Sequence, residues 1–393
     1  MGLHSRQPRD AGPGAQPTGL DDRRPPRAPA PRGSRAPRLT AALLALLLAA
    51  PLRAEPLRVA TWAADLSRDG PGLLLRDIGR DDPAVAGVLA GLAATRPDVV
   101  LLTDMDWDGD GAALGALADR LAAGGLDYPY RLALPSNAGL GSGLDLDGDG
   151  RRGTARDAQG YGRFAGQGGL ALLSRWPLGE VRDLSGLLWR DLPGARLPVG
   201  PDGRPFPSEE AQAAQRLSST GHWIVPVAAP GGPLTLFAWA ATPPVFDGPE
   251  DRNGLRNADE LALWARLLDG ALGLVPEGVL LLGLSNLDPA DGEGRREEMA
   301  ALLADLRLQD PRPASEGGRA DADPGQAGDP AVDTVDWPGG PEGPGNLRLS
   351  YVIPAAEWRV TGGGVLWPLP ADPLAEAVAA AGPHRLVWVD LDR

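Results

Sequence analysis

Strand-like runs outnumber helical ones along this chain, and several follow one another with no helix between them. A purely parallel, doubly wound sheet needs a crossover between neighbouring strands, so this order favours two sheets covered by helices, an α/β sandwich. Strands are read at Leu57–Trp62, Asp98–Thr103, Gly169–Ser174, His222–Ala228, Leu234–Ala240, Val279–Leu284, Leu347–Ile353 and Leu386–Leu391. Asp82 and Pro83 open a helix whose Val85, Val88, Leu89 and Leu92 share one face. Leu114, Leu117, Ala118 and Leu121 place a second helix. Asn257 and Glu260 read as a capping pair for a third, which buries Leu261, Trp264 and Leu268. No internal repeat is present.

Hydrophobic residues make up 43% of the 393 and charged residues 23%, which excludes a disordered polymer and a polytopic membrane protein. With 54 Gly and 41 Pro, the core is expected to carry long irregular loops. There is no Cys, so disulfides, thiolate nucleophiles and thiolate metal sites are excluded. Only His222 and His384 lie beyond the N-terminal segment, which rules out a multi-His zinc centre. The net charge is −14, and residues 1–54 hold nine Arg against three Asp, leaving a body of roughly −20. So acidic a body repels phosphate backbones, and tight nucleic-acid binding is not expected.

Residues 1–54 read as a disordered Arg/Pro-rich tail and a signal peptide. The apolar run Leu39–Ala50 follows Arg35 and Arg38, is too short to span a bilayer, and leads to a cleavage site at Leu52-Arg53-Ala54. The mature body is then 55–393, with no membrane span and a periplasmic or secreted location.

The ordered pieces LRVATW (57–62), PDVVLLTDMD (97–106), GLALLSRWPL (169–178), VLLLGLSNLDP (279–289), RLSYVIP (348–354) and HRLVWVDL (384–391) resemble the endonuclease/exonuclease/phosphatase superfamily, an exported bacterial subgroup in particular. The resemblance covers nearly the whole body. It implies a four-layer sandwich of two mainly antiparallel sheets flanked by helices, with Mg- or Mn-dependent phosphoester hydrolysis at the strand ends. Such chemistry deprotonates and aims water while a cation and an imidazole neutralise phosphoryl charge.

By the same resemblance, the Asn expected after the first strand's aromatic is Ala63, and the Glu ligand ending the second strand is Asp104. The expected His is Ala240, the Asp base is Leu284, and the Asp of the penultimate strand is Ser350. Asn286 and His384 remain as catalytic positions, although Pro383 replaces the Asp before His384. Leu and Ala can neither take a proton nor hold phosphoryl charge, so hydrolysis by the family mechanism is not expected. Asp106, Asp108 and Asp110, alternating with Asp104, form either a solvated acidic loop or a rebuilt metal centre.

Asp145-x-Asp147-x-Asp149-Gly150 matches the first half of a calcium loop, with Arg156 at the twelfth position and Asp157 one residue beyond. It is either a structural Ca site or an Asp/Gly turn. In Thr242–Asn253, the residues Asp247, Asp251, Arg252 and Asn253 are expected at the mouth of the site, with Phe246 a buried anchor or a stacking surface. His222 reads as a structural histidine. Two functions follow: a pseudoenzyme or binding protein for a small phosphorylated ligand or an envelope protein, or a phosphoesterase with a rebuilt acidic site.

Overall fold

Strands buried on both faces send alternate side chains into two apolar layers. In the computed structural model, which describes residue 28 and residues 56–273 and 275–392, Val59, Val99, Leu101, Leu170 and Leu172 face one layer. Their chain neighbours Ala60, Val100, Leu102, Ala171 and Leu173 face the other. The tail, signal peptide and cleavage site expected within 1–54 lie outside the described residues.

The first sheet runs in the order β10 (Arg359–Val365), β11 (Val387–Asp392), β1 (Leu57–Leu66), β2 (Val99–Met105), β4 (Gly169–Ser174) and β3 (Tyr130–Leu132). The second runs β5 (Arg182–Asp183), β6 (Gly221–Val227), β7 (Leu234–Ala240), β8 (Val279–Leu284) and β9 (Ser350–Pro354). Pairing is antiparallel throughout except at β1–β2 and β7–β8, one parallel pair in each sheet. Sheet faces sheet across the larger apolar cluster.

Helices cover both outer faces. α1 (Leu73–Ile78), α2 (Pro83–Thr95) and α3 (Ala112–Ala123) bury Leu74, Val88, Leu92 and Leu117 against the first sheet. Asp82 caps α2 by accepting from Val85 N. α4 (Glu209–Ala214) and α7 (Glu316–Ala320) are short pieces within loops, and α8 (Ala375–Ala380) packs on α2. α5 (Arg252–Leu268) and α6 (Arg296–Leu303) cover the second sheet. There Trp264 lies with its ring centroid 4.9 Å from Phe237 and 6.0 Å from Trp239. The four-layer α/β sandwich is therefore the observed architecture. No helix among the described residues is long and apolar enough to cross a membrane.

α5 corrects one expectation. It starts at Arg252, five residues before Asn257, with Asp251 at its N-cap in a left-handed conformation and no side-chain cap bond. Asn257 and Glu260 are buried inside the helix and bond to loops instead of to its end. A polar pair at capping spacing looks the same in sequence whether it caps a helix or ties a helix to its surroundings.

Candidate functional site

The carboxyl ends of both parallel pairs open into one chamber of about 610 Å³. β1 contributes Ala63, β2 Asp104, β7 Ala240 and β8 Leu284, while Asn286 and His384 come from the following turn and the lead into β11. Six positions scattered over more than three hundred residues of sequence thus meet in one place. Ser350 does not join them: it pairs with Leu284 across the β8–β9 ladder and is buried behind it, its hydroxyl oxygen without a partner.

Strained backbone concentrates here. Among the described residues, non-glycine positions with positive φ include Asp104 (62°), Phe246 (70°), Asp251 (53°) and Asn286 (54°), all in or beside the chamber. Such conformations cost about 1 kcal/mol or more each and persist where surrounding contacts impose them. Asn286 is held by its Nδ2, which donates to the Ala241 carbonyl at 2.8 Å. His384 is held through its main chain: its carbonyl accepts from Trp62 Nε1 at 3.0 Å, and Arg385 N donates to Thr334 O at 2.8 Å. Its Nδ1 has no partner, and Trp337 meets the ring edge-on at a centroid distance of 5.4 Å. Burial, reinforced by Arg385, lowers the His384 imidazole to about 4, so it is neutral at physiological pH.

Asp104 is open to the chamber but otherwise surrounded by protein. Loss of bulk water, then the neighbouring Asp65 and Asp106 carboxylates, pushes its carboxyl up to about 7. In its acid form it donates to an anion instead of repelling it. Asp106 and Asp108 are not in the chamber. β2 ends at Met105, after which Asp106 accepts from Ser67 Oγ, Arg68 N and Gly168 N, and Asp108 accepts from Ala112 N and Ala113 N at the start of α3. Asp110 sits exposed in the same turn.

The family's divalent metal can be tested against this donor set. Among the described residues lining the chamber, Asp104 is the only carboxylate, beside three side-chain amides (Gln167, Asn253 and Asn286) and one imidazole. Hard cations want several anionic oxygen donors, and a single carboxylate with neutral amides supplies few. The residues present fit Mg or Mn poorly.

Cationic side chains also line the chamber. Arg156, Arg252 and Arg256 line it, the last two only 8% and 3% exposed. Arg252 donates to Leu146 O, and Arg256 donates to the carbonyls of Gln159, Arg216, Leu217 and Ser218. Among the described residues neither guanidinium has a carboxylate ion-pair partner. Burial lowers both, Arg256 to about 10; at Arg252 the Asp147 carboxylate offsets part of this and Arg156 adds to it, and at Arg256 Glu260 offsets part and Arg252 adds to it. Glu260 accepts from Ser219 N and Oγ at 2.6 and 2.8 Å and from Thr242 N at 2.7 Å. It thereby ties α5 to both loops of the rim. His222 is fully buried, bonded to Ser218 Oγ and Glu260 O, and lies outside the chamber lining.

The loop at 242–253 behaves differently from its expected role. Arg252 and Asn253 do line the chamber, but Asp247 accepts from Asn253 N and Asp251 pairs with Arg295. Phe246 is 76% exposed, so it is not a buried anchor. Its left-handed backbone directs the chain outward at the turn.

The calcium-type loop brings Asp145, Asp147 and Asp149 together, one oxygen of each within 4.8 Å of the others. Asp145 accepts from Gly148 N and Gly150 N, Asp149 from Arg151 N, and Asp147 pairs with Arg156 at 2.9 Å. Asp157 does not serve as the missing ligand: it accepts from Leu146 N, Thr154 N and Thr154 Oγ1.

Two sheets packed face to face, with a chamber where a parallel pair from each one ends, define a phosphoesterase-type sandwich. The family model described as "Endonuclease/Exonuclease/phosphatase family" matches residues 72–384, and the chain belongs to that family. An endonuclease/exonuclease/phosphatase structure from Beutenbergia cavernae is similar at 20% identity and TM-score 0.49, covering 86% of this chain and 72% of that one. A family protein from Leptotrichia buccalis is similar at 12% identity and TM-score 0.47, covering 86% and 100%. Sphingomyelinase C from Streptomyces griseocarneus is similar at 17% identity and TM-score 0.43, with the same shares of 86% and 100%. No curated protein matches the chain.

Proposed function

We propose that this protein is an exported member of the family whose hydrolytic site has decayed and whose chamber binds a small phosphorylated ligand in the periplasm or outside the cell. The observation that carries this reading is the exchange of chemistry in the chamber. Alanine and leucine stand at three strand ends, one carboxylate remains, and two buried arginines without a carboxylate in ion-pair contact among the described residues line the same chamber. A buried cation is costly unless paired, and a bound anion supplies the missing partner. The enclosed, arginine-lined space favours a small phosphorylated ligand over an envelope protein. The acidic exterior disfavours nucleic acid.

The experiment is a pair of measurements on the purified protein. Generic phosphomonoesters and phosphodiesters with Mg²⁺ or Mn²⁺ should give no turnover, while inorganic phosphate should raise Tm. Arg252→Met and Arg256→Met should each abolish that rise. Metal-dependent turnover lost in Asp104→Ala would overturn the reading and establish an active phosphoesterase.

The loop at 145–150 belongs to the proposal as a weak structural Ca site, supported by its three convergent carboxylates. Calcium at about ten times its dissociation constant should stabilise the fold by about 1.4 kcal/mol, a Tm rise of a few degrees absent from Asp147→Ala. Identical melts with and without the ion would remove the claim.

A further inference from the structure

The chamber does not end at His384. A second cavity of about 720 Å³ adjoins it, and the two share Pro243, Phe246, Asn286 and His384. This bay has the opposite chemistry. Its walls are Pro244, Val245, Trp337, Leu347 and Leu349, and no arginine lines it. Two exposed carboxylates, Glu293 and Glu342, stand at its edge. The walls come from the Thr242–Asn253 loop and from the segment that carries Trp337 towards β9. Both the size and the apolar lining are those of a small-molecule site.

Charge then fixes how a ligand can lie. An anionic group is repelled at the bay's edge by Glu293 and Glu342 and attracted in the chamber by Arg252 and Arg256. An apolar group gains by leaving water only on the bay side. At the junction stand Asn286 and His384, which line both cavities. Phe246, exposed and shared by both cavities, offers a ring at the crossing.

We propose that chamber and bay together bind one amphiphile: a phosphomonoester whose phosphate enters the arginine-lined chamber and whose apolar body fills the bay. This rests on the chamber's being an anion site and names the class of ligand it takes.

The test uses the full chain and calorimetric titration with inorganic phosphate, a series of n-alkyl monophosphates from ethyl to octyl below their micelle concentrations, and 1-octanol. Affinity should rise with chain length, by up to about fourfold per methylene until the bay is filled. Octanol should bind far more weakly than octyl phosphate. In Val245→Glu and in Pro344→Glu, two substitutions that line the bay and not the chamber, the ratio of octyl phosphate to inorganic phosphate affinity should fall at least tenfold. If phosphate binds but octyl phosphate binds no tighter, the bay is not part of the site and the amphiphile proposal fails while the anion site stands. If the chain-length dependence survives both substitutions, the alkyl chain lies elsewhere and the proposal also fails. If neither phosphate nor any ester binds, the anion site itself is wrong.

Discussion

Burying a guanidinium without a carboxylate in ion-pair contact is costly, and among the described residues α5 does so at both Arg252 and Arg256. Arg252 was expected at the mouth of the site from the sequence, and the spacing Arg252, Arg256, Glu260 places three charges at successive i, i+4 steps on one helix face. That face was legible as polar; that it turns inward was not, because only the tertiary fold brings the Ser219 and Thr242 loops down onto it. Glu260 gives a sharp prediction. Burial raises its carboxyl to about 7, with Arg256 and the N–H donors of Ser219 and Thr242 working the other way. A carboxyl with a raised folded-state pKa contributes fully below its unfolded value and loses that contribution as pH rises through the folded one. Between pH 5 and pH 8, Glu260→Gln should therefore remove a fall in stability on the order of 2 kcal/mol, read from urea midpoints. Buried His222, lowered to about 3, acts in the opposite sense, since its contribution is present above about 6.5 and lost on acidification. It is common to both proteins and cancels in the difference. Parallel pH profiles would show that Glu260 is ionised in the fold throughout.

At the scale of elements, β4, β7 and β8 were legible to the residue, because each is an unbroken apolar run buried on both faces. β10 was not, since Arg359–Val365 holds three consecutive glycines and is a strand only because β11 pairs with it. The β7–β8 pair also depends on a glycine. A Cβ at Gly283 would lie 2.0 Å from Trp239 O, and its φ is 157°. Gly283→Ala should cost roughly 3 kcal/mol or more and disturb the chamber wall at Ala240 and Leu284. A thermal melt with Tm within a degree of the parent would contradict this. Trp264→Ala removes the ring that packs on Phe237 and Trp239, and about 3–5 kcal/mol should go with it. A loss below 1 kcal/mol would mean that α5 is held mainly by its polar ties.

For the whole molecule, the positions to which the resemblance assigns catalytic roles form an ordered set of strand ends in the sequence, and the fold brings all but Ser350 to one chamber. What sequence could not show is the second cavity, whose walls are two loops far apart in the chain. If the scaffold still carries its family's geometry, Ala63→Asn, Ala240→His and Leu284→Asp together should create Mn²⁺ binding detectable by calorimetry at submillimolar concentration, where the parent shows none. A folded triple variant without binding would mean that the strand ends have moved apart. One wall of the chamber belongs to each sheet, since β1 and β2 stand on one side and β7 and β8 on the other. Whatever lodges there acts as a rivet between the two leaves of the sandwich, so occupancy should slow amide exchange at the ends of strands that share no hydrogen bond with each other.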